Sequence, residues 1–359
     1  MNIKTIGEPR VVMNNPDSKH DYFGWPSAIR LKNGRIAIGA SGFRLGHVCP
    51  FGKAVIAISE NEGETFTPPQ VVIDTPLDDR DLGLCTFGES GLIVTSFNNT
   101  RAMQRGWHET WCTPEEMAYN RAYLDAVTDE EENKYLGSTF KVSYDNGVTY
   151  GKVNAVGITS PHGPIELKDG NILWVGRCEC LFGNEVDRVE AHLVDVEKGT
   201  TERIGYIDDI YNEKGEKLMS CEPYAFETED GTVICHIRVE PIFTTYQSVS
   251  HDGGRTWSKP EPLLGEYGGA PCHIMRHSSG LLISAYGYRH DPYEIRIMIS
   301  RDEGKSWEQS GAIYANKYSG DIGYPATVEL KDGSLLTVFY ARATEDHCEI
   351  MAQKWSIQE

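Results

Sequence analysis

Short apolar runs separated by glycine-bearing turns recur from one end of this chain to the other. The turns fall at Asn33-Gly34, Ser90-Gly91, Asp169-Gly170, Asp230-Gly231, Ser279-Gly280 and Asp332-Gly333, each between two runs rich in Val, Ile, Leu, Thr and aromatics. Residues 164–174 (PIELKDGNILW) and 325–338 (PATVELKDGSLLTV) show the form. Such runs flanking an Asn-Gly or Asp-Gly pair predict β-hairpins. The turn glycines lie 57, 79, 61, 49 and 53 residues apart, a period that suits four-stranded propeller blades. The predicted fold is therefore all-β, a six-bladed β-propeller with four-stranded antiparallel blades, and the 359 residues form a single domain, 1–359. The strand-like run 348–357 becomes the third strand of blade 6. The N-terminal run up to Met13 then supplies its fourth strand, so that no edge stays open at the seam.

A second repeat reinforces the first. Residues 59–66 (SENEGETF), 143–150 (SYDNGVTY), 250–257 (SHDGGRTW) and 300–307 (SRDEGKSW) all read Ser-x-Asx-x-Gly-x-Thr/Ser-aromatic. An Asx side chain can accept from the N–H groups of a tight turn while the glycine takes the positive φ. These copies are expected to be turn staples joining the third and fourth strands of blades 1, 2, 4 and 5. The long 79-residue step holds a different signal. Thr113 and Glu116 form a capping box with Pro114 at the first helical position, and Met117, Tyr119, Tyr123, Leu124 and Val127 follow at helix-like spacing. A helical insertion, 101–136, is thus predicted on a blade-2 loop, overhanging the central site.

Charge and cysteine content narrow the function. A formal charge of −19 argues against nucleic acid and against anionic membrane surfaces. No window approaches 18 apolar residues, and the N-terminus lacks an apolar signal segment, so a cytoplasmic protein is expected. The nine cysteines are an odd number without metal-site spacing, Cys178-Glu179-Cys180 being too close for the usual zinc pair. Reduced thiols, no metal and no cofactor are expected.

In a propeller the innermost strand starts at the axial pocket and the second strand returns to it, the hairpin lying at the far end. Candidate chemistry should sit about eight residues either side of each turn glycine. Before the turns lie Trp25-Pro26, Asp79-Arg80-Asp81, Pro161-His162, Glu222-Pro223, Pro271-Cys272-His273 and Asp321 to Pro325. After them lie Arg44, Asn98 and Asn99, Arg177, Arg238, Arg289 and Arg342. Guanidinium forks bind carboxylate, sulfate or phosphate bidentately. Arg44, Arg177, Arg238, Arg289 and Arg342 thus predict an anionic ligand held by a chain that is itself acidic.

The eight-residue repeat resembles the Asp-box (BNR repeat) of the sialidase superfamily. The resemblance covers nearly the whole chain for fold and a few positions for catalysis. It implies that Tyr324 is the nucleophile, that Glu222 is its base, and that Arg238 and Arg289 are the second and third arginines of a carboxylate-binding triad. A tyrosine nucleophile sets sialidases apart from two-carboxylate glycosidases. Two positions depart from the family pattern. Where an Arg-Ile-Pro-like motif should supply the first arginine, the chain reads Phe23-Gly24-Trp25-Pro26, and Trp25 offers stacking on a sugar face instead. The loop that should carry the acid/base aspartate, Arg44 to Lys53, has no carboxylate. Either His47 is the general acid, or Asp79 or Asp81 reaches in from blade 2; strand alternation would point both aspartates one way and Arg80 the other. His162 and His273 add a histidine-lined wall. The expected activity is exo-acting hydrolysis of a terminal anionic sugar, with carbohydrate the partner. A non-catalytic glycan-binding propeller, or a glycan lyase on the same scaffold, stands as the alternative.

Overall fold

The computed structural model describes residues 1–342, 344 and 347–358. The fold is all-β and propeller-like, with sheets that are almost wholly antiparallel. Among the described residues there are five hydrogen-bonded sheets: one of eight strands, one of five and three of four. The eight-stranded sheet contains two consecutive runs of four. One comprises Tyr22–Arg30, Ile36–Arg44, Lys53–Ser59 and Gln70–Ile73; the other comprises Ile322–Glu329, Leu335–Arg342, Cys348–Gln358 and Asn2–Met13. A single parallel pair, Tyr22 with Cys348, bridges them, which is why five sheets are counted where the turn period predicts six separate blades. The seam closes as expected from the termini: Asn2–Met13 runs antiparallel to Cys348–Gln358 from Asn2↔Gln358 onward.

The turn chemistry acts locally. Gly34, Gly170, Gly231, Gly280 and Gly333 all take φ between 76° and 89° at their hairpins. In the second hairpin the positive φ belongs to Gly88 (52°), not to Gly91. All four eight-residue repeats join a third strand to a fourth and fold alike. In the copy at 250–257, Ser250 Oγ donates to Asp252 Oδ1 (2.8 Å) and accepts from Gly254 N (2.8 Å); Asp252 in turn accepts from Thr256 N and Oγ1 (2.8 and 2.6 Å).

Apolar side chains from facing sheets interdigitate into clusters. Ala37, Ala54 and Ile56, for example, pack on Leu82, Leu84, Leu92 and Val94 of the next sheet. Near the axis the backbones themselves meet: a Cβ on Gly83 would lie 2.4 Å from Gly163 N, so glycine is required there. Three helices occupy the long interval between Gly91–Phe97 and Ser138–Ser143. They are α1 (Arg101–Trp111), α2 (Pro114–Ala126) and α3 (Asp129–Tyr135), the last two opened by capping boxes at Thr113 and Thr128. Phe51 stacks on Tyr119 of α2 with ring centroids 4.9 Å apart, fixing the helices against the sheet ends. No described helix is long and apolar enough to cross a membrane.

Candidate active site

Four innermost strands share one irregularity, and it builds the site. Strand register slips between Gly24 and Ser27, Arg80 and Gly83, Cys221 and Tyr224, and Gly323 and Ala326. Inside these slips Trp25, Asp81, Glu222 and Tyr324 take φ of 54°, 38°, 47° and 52°. A β-bulge with a non-glycine residue at positive φ costs of order 1–3 kcal/mol and re-aims a side chain. All four side chains line one cavity of about 460 Å³. Proline follows three of them directly (Pro26, Pro223, Pro325), a repeat that could have flagged the positions from sequence.

At the floor, Tyr324 Oη donates to Glu222 Oε1. Arg238 Nη1 donates to Glu222 Oε2 at 2.7 Å and to Tyr324 Oη at 3.3 Å. Glu240 accepts from the other edge of the same guanidinium, with Nε at 2.8 Å. Burial first, and then the Glu222 charge, hold the Tyr324 phenol well above its ordinary value, with the Arg238 and Arg289 charges acting the other way. The resting phenol is therefore protonated and needs a base, and Glu222 is in contact with its hydrogen. Arg289 lines the same cavity, its guanidinium carbon 5.7 Å from the Tyr324 ring centre. It donates to Ile322 O and Tyr340 Oη (both 2.8 Å) and makes no ion pair among the described residues. Its charge thus remains available to an anion.

The two aspartates separate. Asp79 turns away from the cavity to accept from Thr75 N (2.6 Å) and Thr75 Oγ1 (2.9 Å). Asp81 lines the cavity, is 2% exposed, and its Oδ1 has no hydrogen-bond partner. Burial, helped by the Glu222 charge and opposed by Arg80, raises its carboxyl to about 8. Simple alternation predicts that Asp79 and Asp81 share a face opposite Arg80. The bulge breaks that alternation and puts Arg80 and Asp81 together on the cavity wall. Arg80, unclaimed by the sequence reading, lies over the Trp25 ring at 4.1 Å and donates to His47 O at 2.8 Å.

Other expected site residues are corrected. Arg44 is fully buried against Asp78 (2.6 and 2.9 Å) and does not line the cavity. Trp25 is only 1% exposed, with the Arg44 and Arg80 guanidiniums over its ring at 4.8 and 4.1 Å. It is a platform for arginine rather than an open stacking face for sugar. Arg342 pairs with Asp321 (3.2 Å) outside the cavity. Arg177 reaches the cavity but is tied to Glu179 (2.7 Å) and Ser220 O (2.8 Å). His47 reaches it too, held by Tyr22 Oη (2.9 Å) and 3.5 Å from Asp321; burial lowers its ring below the ordinary imidazole value. Tyr22 and Tyr340, which with Asp321 link His47 to Arg289, were not singled out from sequence; their meeting is a tertiary event.

His162 and His273 belong to the opposite end of the axis. They line a separate cavity of about 850 Å³ bordered by hairpin residues such as Arg30, Lys331 and Gly333. His273 stacks on Tyr224 at 4.8 Å, and burial depresses both imidazoles, His273 to about 3. The buried trio Cys178, Glu190 and His192 brings three ligand-type atoms within 4.8 Å of one another. Glu190 there is already shared by Arg188 (2.7 Å) and Arg203 (3.4 Å), whose two positive charges oppose a dication.

Residues 124–337 match the family model described as a BNR repeat-like domain. Among solved structures, the chain is similar to a protein of unknown function from Dyadobacter fermentans DSM 18053 (20% identity, 99% of this chain and 100% of that one, TM-score 0.75). It is also similar to the intramolecular trans-sialidase of Ruminococcus gnavus in complex with oseltamivir carboxylate (13%, 97% and 96%, 0.62). A third similarity is to an α-L-arabinofuranosidase of Fusarium graminearum in complex with an iminosugar inhibitor (9%, 99% and 97%, 0.61). No curated protein matches the chain. With more than half its length matched, the chain belongs to the BNR repeat-like domain family.

Proposed function

We propose that the chain is an exo-acting glycoside hydrolase that takes a terminal anionic sugar, sialic-acid-like or uronic, into the cavity floored by Tyr324, Glu222, Arg238, Arg289 and Asp81. The observation that carries this reading is the Tyr324–Glu222–Arg238 contact set sharing a cavity with Asp81, a buried carboxyl whose Oδ1 has no hydrogen-bond partner. In the proposed first step Tyr324 Oη attacks the anomeric carbon and passes its proton to Glu222. Asp81 gives its proton to the departing oxygen as the glycosidic bond breaks. Water, deprotonated by the Asp81 carboxylate, then displaces the tyrosine oxygen, which recovers its proton from Glu222. A nucleophile that is neutral at rest suits a substrate that carries its own carboxylate, and Arg238 offsets the charge of its base Glu222. Arg289, which lacks a carboxylate partner of its own, and Arg80 supply the charge that binds it. Asp81 therefore takes the acid role in preference to His47, which is engaged by Tyr22. The six-bladed count and the single domain 1–359 are part of the same reading: the bridged eight-stranded sheet is taken as two blades.

The test is turnover by the purified chain of aryl glycosides of sialic acid, uronic acids and neutral sugars. Cleavage of an anionic member is expected, falling ~10³-fold or more in Tyr324→Phe and in Glu222→Gln. Arg289→Met should weaken an anionic substrate by about 1.5–3 kcal/mol and a neutral one far less. No turnover across the panel, or turnover undiminished in both floor variants, would sink the reading.

A further inference from the structure

Beside its charged groups the cavity is lined by an apolar collar. Met103 and Trp107 come from α1, four residues apart and so on one helical face. Phe97 ends the strand before α1, Phe182 closes the 3₁₀ turn Cys180–Phe182, and Met219 begins the strand that carries Glu222. These five side chains come from α1, the strand before it, the 3₁₀ turn and the Glu222 strand, and line the same cavity. Met219 stays 47% exposed, and Phe97, Met103, Trp107 and Phe182 are all partly exposed. Clustered, half-exposed apolar side chains on a polar pocket mark a ligand surface rather than a core.

Of the polar groups that line the cavity with them, Thr159 and Arg177 are committed elsewhere, while the Asn99 side-chain amide is not. Thr159 Oγ1 donates to Arg177 O (3.2 Å), and Arg177 is spent on Glu179 (2.7 Å) and Ser220 O (2.8 Å). A sugar or other polyol against these five side chains would find few hydrogen-bonding partners beyond Asn99 to replace the water it loses, whereas an aryl ring would lose nothing polar. Resting on the glycosidase reading above, we propose that the collar is a leaving-group site for aryl aglycones, with Trp107 and Phe182 as its specificity-determining walls. The enzyme would then act on anionic sugars carried by phenolic or other aromatic alcohols in preference to sugars linked to further sugars. The helical stretch inserted beside the site gains a role in the same stroke: it furnishes one wall of this collar.

The experiment uses hydrolysis-resistant probes, the S-phenyl and S-methyl thioglycosides of N-acetylneuraminic acid and of glucuronic acid, titrated calorimetrically into the full chain. Removing a phenyl ring from water against the collar should make the S-phenyl member of the recognised sugar bind roughly tenfold more tightly than its S-methyl partner. Trp107→Ala and, independently, Phe182→Ala should each collapse most of that ratio. They sit on different segments, so misfolding of one variant leaves the other decisive. Equal affinities in the parent chain, or a ratio that survives both substitutions, overturn the collar while leaving the glycosidase reading intact. Failure of every probe to bind the parent chain overturns both.

Discussion

Asp81→Asn tests the site through folding stability, without any substrate. The parent carboxyl is buried, has an unpartnered oxygen, and holds its proton up to about pH 8 against an ordinary value of 3.8. Between those two values the unfolded chain has released this proton and the folded chain has not. The folded state pays for that retention, so Asp81 makes stability fall as pH rises from about 4 to about 8. At ~1.4 kcal/mol per pH step, the cost at pH 7 has a ceiling of about 4 kcal/mol; water entering the open cavity should reduce it to about 2. Asparagine has the same shape and keeps the unpartnered oxygen, but cannot ionise. The variant should therefore match the parent near pH 4 and exceed it by about 2–4 kcal/mol near pH 7, the gap growing steadily between. Urea unfolding followed by tryptophan fluorescence, at several values between about pH 4 and 8, measures the difference directly. A variant less stable than its parent near neutrality would mean that Asp81 is charged and paired, most simply with Arg80. It could then not be the acid. The matching kinetic expectation is an alkaline limb near pH 8 in the parent. The variant should form the glycosyl-enzyme slowly from poor leaving groups and normally from good ones, while its breakdown by water slows for both because the Asp81 base is gone.

Two further substitutions address the scaffold. Ser250→Ala should cost about 1–3 kcal/mol, because the buried Gly254 N–H loses its acceptor; KM and kcat should be unmoved, since that turn lies away from the cavity. Asp78→Ala should cost about 3–5 kcal/mol in denaturant unfolding by stranding the fully buried Arg44 charge. A loss below ~1 kcal/mol would show that Arg44 is solvated, and would return it to the list of ligand-binding arginines.

The sequence by itself determined whatever closes within a few residues. Each eight-residue repeat bonds Ser to Asx to Gly inside its own turn, and each hairpin needs only a glycine at positive φ between two apolar runs. Their order and spacing follow from the chain alone, and with them the propeller-like architecture. The capping box at Thr113 is equally local, since its two bonds join Thr113 and Glu116. Glu222, Tyr324, Arg238 and Arg289 were legible because the family resemblance assigns those positions.

Only the tertiary structure decided which side chains meet. Arg44 and Arg289 occupy equivalent ends of second strands, yet one is buried by Asp78 of the neighbouring sheet and the other faces Ile322 O and Tyr340. Asp79 and Asp81 look interchangeable under strict alternation, but a bulge lies among Arg80, Asp81 and Gly83, and alternation fails across a bulge. His273 lies on an innermost strand and His162 between two short strand segments, but both line the separate cavity at the other end. For the arginines and the histidines the deciding contact joins separate parts of the propeller, and for the aspartates it is a slip in strand pairing. Strand period and turn spacing carry no information about either, because they fix where a strand begins and ends rather than what its neighbour presents.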